Sequence, residues 1–202
     1  MDANEMFCLI ESYMIHNNFA YNLYIAYMSL LESNNLYNDI INKASGFFTM
    51  AQYSLSKCMV LEFAKLFCGS GEERTINKLI NVVEANIHLF ETKDVLKHCS
   101  NAKQYMDITL NPIIKNLKSR RDQDLAHNDK KFFDGKNNPA VESPISCEDI
   151  IALYNYIFEF LNYLIESLQI EKKVCLDTGA DDFKSFIEEF YDLSTNTSNT
   201  CT

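Results

Sequence analysis

Residues 3–33, ANEMFCLIESYMIHNNFAYNLYIAYMSLLES, decide the fold class. Phe7, Ile10, Met14, Asn17, Tyr21, Tyr24, Met28 and Leu31 recur at alternating spacings of three and four. That is the stripe of an amphipathic helix, here with one polar member, Asn17. It fits a bundle helix facing its own core or an intermolecular coiled coil. Asn34 and Asn35 close it.

Working outward, the same period returns. A second helix is predicted over about 37–67 through Ile41, Ala44, Phe48, Ala51, Leu55, Met59 and Leu66, stopped by CGSG at 68–71. Glu62 falls in the middle of that stripe, where an unpartnered carboxylate is costly. A third helix is expected over about 75–90 and a fourth over about 93–109 with Thr92 and Asp94 at its start. A fifth is expected to open at Asn111–Pro112, read as a cap followed by a first-turn proline. Residues 129–145 hold two prolines, a glycine and paired asparagines and read as a loop. Ser146, with Asp149 three residues on, opens a helix to about 170. A short helix is expected over 181–193, followed by a polar tail that lacks the apolar content to order.

Composition agrees. The chain has 202 residues, 47% of them hydrophobic, with only five glycines and three prolines. That is too few turn-formers for a β-sandwich or barrel, so the expected architecture is all-α, an antiparallel helical bundle over 1–170 with an appendage over 171–202. No apolar run reaches membrane-spanning length, and the opening MDANEMF lacks a basic n-region. A cytoplasmic protein without membrane attachment is expected. The seven cysteines then read as reduced thiols, several of them buried. No pair has metal-ligand spacing, so neither a metal nor a cofactor is expected.

The net charge of −10 argues against a broad nucleic-acid-coating surface. It is unevenly spread. Residues 111–136 carry +3, leaving −13 on the rest, so a local basic spot remains for a phosphate segment. Within it, the fifth helix ends in RRDQDLAHND, 120–129. At ~100° per residue, Arg121 points the way Ile114, Leu117 and Leu125 point. A guanidinium on an apolar face must be paired, line a groove or sit in a subunit seam. Arg120 and His127 share another direction with Asp124 between them. Arg120 paired with Asp124, and His127 as a cation at the helix C-terminus, account for those residues without any chemistry. They leave Arg121 unexplained. His16, His88 and His98 read as ordinary helix residues, and the many Tyr and Phe as core.

Arg121, five intervening residues, then His127 resembles the R-x(4–6)-H motif of HEPN-superfamily proteins, with Asp122 as the usual polar residue after the arginine. The fuller string RDQDLAHND, followed by Lys130, Lys131, Phe132 and Phe133, resembles the abortive-infection U type of HEPN domain. The upstream LSKCMVLEFAKLF, 55–67, is similar to that family's core helix. The resemblance spans about residues 5–170. Arg120 offers a second register, R-x(6)-H, so either arginine fits the motif. The resemblance implies a metal-independent ribonuclease in antiviral defence or a toxin–antitoxin-like system. Arg121 and His127 would be catalytic. Arg120, Asp122, Asn128, Lys130 and Lys131 would bind or orient RNA. It also implies a homodimer with two Arg–His sets facing across a cleft, and a possible cognate antitoxin or second defence protein. The alternative is a non-catalytic RNA- or nucleotide-binding module, or a helical adaptor. Glu62 is expected to pair with Arg121, since each is the charge its stripe does not explain; pairing with Lys65 is the plainer option.

Overall fold

In the computed structural model the description covers residues 1–36, 38–69, 74–92, 94–122 and 139–168, with 170, 174, 185 and 189; the side chains of 33–40 are excluded. Among these residues the protein is all-α, with one isolated bridge between Phe90 and Leu168. The helices are α1 (Ala3–Leu36), α2 (Asn38–Lys43), α3 (Ser45–Phe67), α4 (Ile76–Ala85), α5 (Asp94–Tyr105), α6 (Asn111–Arg120), α7 (Pro139–Glu142) and α8 (Cys147–Ser167). A 3-10 turn lies at Ile87–Leu89 and a π-helical turn at Met106–Leu110. No helix among the described residues is long and apolar enough to cross a membrane.

The chain forms two compact units. The first holds residues 1–18 and 60–176. Its core holds Phe7, Ile10 and Met14 of α1, Leu66 of α3, Ile76, Leu79, Ile80 and Val83 of α4, and Leu153, Ile157, Leu161 and Leu164 of α8, all from the predicted stripes, together with Phe63 of α3, which the predicted stripe did not include. α5 packs on α4 and on α8. Asn17, the polar member of the first stripe, is fully buried. Its amide nitrogen donates to the Tyr154 carbonyl at 3.1 Å, which offsets part of the cost of burying it, while its Oδ1 has no partner among the described residues. α4 begins at Thr75, whose hydroxyl accepts from the Lys78 N–H at 3.3 Å. α8 begins at the expected box: the Asp149 N–H donates to Ser146 Oγ at 3.1 Å, and the Ser146 N–H donates to Asp149 Oδ2 at 2.8 Å.

The second unit holds 19–59 and 177–202. Ala20, Tyr24, Leu30, Ile41 and Met59 are buried in it, whereas Phe19, Phe47, Met50 and Tyr53 are exposed.

Several boundaries differ from the sequence expectation. The second helix breaks at Ala44, whose N–H bonds back three residues to Ile41 at 3.1 Å, and the chain restarts as α3 with Gly46 in its first turn. Tightening by a 3-10 bond and a glycine of poor helix propensity both favour a break there. The third helix stops at Asn86, whose N–H bonds back to Val83 at 3.0 Å. Asn111 is not a cap. It is itself helical (φ −54°, ψ −42°), and α5, the π turn and α6 follow without an interruption. Pro112 lacks an N–H and crowds the carbonyl one turn back. The wider π turn just before it gives that ring room, so the helix passes through instead of restarting. Residues 139–142 of the expected loop form α7. The last long helix ends at Ser167 rather than near 170. The expected helix over 181–193 and the polar tail lie outside the described residues, apart from Ser185 and Glu189.

Candidate functional site

Arg121 closes α6 in helical conformation, its N–H bonded to the Leu117 and Lys118 carbonyls. Its guanidinium is turned inward. Nη1 donates to the Cys68 carbonyl and Nε donates to Asp122 Oδ1 at 2.7 Å. Cys68 directly follows α3, where the last carbonyls lack partners within the helix and the macrodipole is negative. Arg121 is thus the C-terminal cap of α3, which accounts for a cation on an apolar face. The side chain keeps 24% of its surface exposed, and Asp122 keeps 38%. The Cys68 thiol donates to the Ile114 carbonyl at 3.6 Å, tying the end of α3 to α6 a second time. Burial pushes that thiol up to about 11, against the opposing pull of Arg121, so it stays protonated near neutrality and is no nucleophile there.

Arg120 is part-buried, and its Nε has no hydrogen-bond partner among the described residues. Residues 143 and 144 are tied back to α6. The Asn116 amide donates to the Pro144 carbonyl at 2.7 Å, and Ser143 Oγ donates to Ser119 Oγ at 2.7 Å. α7 thus packs beside α6. His127, Asn128, Lys130 and Lys131 lie outside the described residues, as does Asp124, the expected partner of Arg120.

Glu62 does not pair with Arg121 within the chain. Its Oε1 accepts from Lys65 at 2.6 Å and its Oε2 lies 2.8 Å from His16 Nε2. The His16 approach is an ion-pair distance, without a hydrogen bond at His16 Nε2 among the described residues. The reason is positional. Glu62 lies one to two turns before the end of α3 and reaches α1, whereas Arg121 takes the carbonyl at the helix end. Both carboxylate oxygens are already engaged, so the plainer pairing with Lys65 is the one found.

The other expected bystanders behave as core or surface. His98 stacks on Tyr163 at 3.9 Å and on Phe160 at 5.5 Å, and burial lowers its pKa. Cys68 and Cys99 are buried while Cys8, Cys58 and Cys147 are exposed. No cluster of His, Cys, Asp and Glu suited to a metal occurs among the described residues.

The role of Cys68 was missed in the sequence; its only trace there is the helix stop CGSG. The structure thus joins Arg121, Asp122 and the end of α3. No curated protein and no solved structure matches the chain. The family profile HEPN_AbiU2, described as AbiU2, matches residues 6–192, nearly the whole length. With its helical architecture and a profile match over nearly the whole length, the chain belongs to the AbiU2 family of HEPN domains.

Proposed function

We propose that the chain is a metal-independent HEPN ribonuclease that acts as a homodimer in the cytoplasm, in abortive infection or a toxin–antitoxin-like system. One observation supports this most: Arg121 is held at a helix end by a backbone carbonyl and a carboxylate and still keeps part of its surface open. A guanidinium fixed in this way is oriented in advance for a phosphate. His127 follows six residues later, and an imidazole, whose ordinary pKa is about 6.5, suits proton transfer at neutral pH. In the reaction the ribose 2′-oxygen loses its proton and attacks the adjacent phosphorus. The P–O5′ bond breaks and the departing 5′-oxygen takes up a proton. The products are a 2′,3′-cyclic phosphate and a 5′-hydroxyl. Arg121 would stabilise charge on the phosphoryl oxygens, and Arg120, Asn128, Lys130 and Lys131 would hold the strand. A cognate antitoxin or second defence protein would restrain such an activity.

The Arg121–Asp122 pair also supports a second reading, an RNA-binding module that does not cut, because Asp122 already occupies one edge of the guanidinium. Incubation of the purified chain with RNA in EDTA separates the two. The ribonuclease reading predicts cleavage that His127→Ala lowers by ~10²–10⁴ with the fold intact. Binding without cleavage supports the second reading.

A further inference from the structure

α5 and α8 face each other across an open groove of about 450 Å³, a size within the usual ~300–1,000 Å³ of small-molecule sites. The α5 wall is one helix face: His98, Asn101 and Tyr105, spaced by three and four. The α8 wall is another: Asn155, Tyr156 and Glu159. Ala102 and Ala152 open the space between them. This groove shares no residue with the Arg121 site.

The aromatic rings here lie in near-parallel pairs. Tyr105 and Tyr156 stack at 5.6 Å and 15°, and His98 and Phe160 at 5.5 Å and 8°. The Tyr156 hydroxyl donates to the Ala102 carbonyl at 3.1 Å, which fixes that ring. Tyr105 is 45% exposed, so its stack ends at solvent. Parallel faces suit a flat ring that extends the stack. They do not box an ammonium, which prefers faces turned around it. The polar groups of the lining are two amides, one carboxylate, the His98 imidazole and two tyrosine hydroxyls, that of Tyr156 already spent on the Ala102 carbonyl, with no lysine or arginine among them. No permanent cation there holds a phosphate, while a carboxylate beside amides accepts from adjacent N–H groups on a ring edge. Among common biological rings, guanine has that edge, with N1–H and N2–H₂ side by side.

We propose that the α5–α8 groove binds a guanine base, stacked on the Tyr105–Tyr156 pair, with its N–H edge on Glu159 and its amide-reading groups on Asn101 and Asn155. Glu159 and Tyr105 are exposed and their substitution leaves the core untouched. The proposal stands apart from the ribonuclease reading, because binding is read without cleavage.

The test is calorimetric titration of the full-length His127→Ala chain, so that cleavage does not enter. The titrants are guanosine, inosine, adenosine, GTP and tetramethylammonium chloride. Saturable guanosine binding is expected, with inosine weaker because it lacks N2–H₂ and adenosine weaker still. GTP should match guanosine. Glu159→Gln and Tyr105→Leu should each weaken guanosine about tenfold, with the circular dichroism spectrum unchanged. Short oligoribonucleotides with and without a single G separate the sources: Glu159-dependent preference for the G-containing strand assigns the base to RNA, and guanosine binding without that preference assigns it to a free nucleoside. Equal binding of all nucleosides, guanosine affinity indifferent to Glu159→Gln, GTP more than tenfold tighter than guanosine, displacement by tetramethylammonium, or no saturation at all overturns the proposal.

Discussion

At the scale of single residues, Arg121 has a structural task that its position on an apolar stripe already demanded. It caps α3 through the Cys68 carbonyl. Arg121→Ala is therefore expected to lower stability by about 1–2 kcal/mol in urea titrations, since it removes a charge-assisted bond from a half-open site. His127→Ala is expected to change the unfolding free energy from the same titrations by no more than about 0.5 kcal/mol. Activity lost in Arg121→Ala must accordingly be read beside that stability change, and equal stability of the two variants would remove the capping role. The need for a partner was legible in the sequence. Its identity was not, because a backbone carbonyl leaves no mark in composition, and two unexplained charges on two stripes suggested each other. Glu62 instead meets His16 and Lys65. His98 gives a second expectation. Burial against Phe160 and Tyr163 holds its pKa below 6.5, so the folded chain resists a proton that the unfolded chain accepts. Its contribution to stability is present above pH 6.5 and is lost as pH falls through the lowered value. Thermal melts should show this acid-side loss, and His98→Phe should reduce it; an unchanged slope in the variant would contradict the burial argument.

Among elements, the helices whose periodicity and caps agree were readable in the sequence. α8 is the clearest case, with its Ser146–Asp149 box found in both directions. Ser146→Ala is expected to cost about 1 kcal/mol, measured as a shift of the urea midpoint without a change in slope. A neutral substitution would mean that packing alone fixes the start of α8. The α5–α6 junction was not legible. Asn-Pro is an ordinary helix start, and nothing local says that a π turn will absorb the proline. The preceding turn is tied into the core by Met106 and Leu110, both buried, so tertiary packing carries the helix past a local stop signal. The break at Ala44 is the converse case. There a stripe continuous in sequence is interrupted because local bonding at Ile41 tightens the turn.

For the whole molecule, family and helical architecture follow from signals spread over most of the chain, while the proposed chemistry rests on a short basic stretch of an acidic sequence. RNA binding should therefore be local and salt-sensitive, weakening as ionic strength rises. A homodimer is expected by light scattering at micromolar concentration, because a twofold seam lets one helix end supply both halves of a composite site. A monomer that cleaves RNA would remove the paired-site arrangement. The end chemistry of the products tests the central claim most directly. Mass spectrometry of a defined oligoribonucleotide cut in EDTA should find 2′,3′-cyclic phosphate and 5′-hydroxyl ends, and a 2′-deoxy substitution at the cut position should block cleavage there. Cleavage of the deoxy-substituted position, or products with 5′-phosphate ends, would contradict attack by the ribose hydroxyl and with it the account of Arg121 and His127.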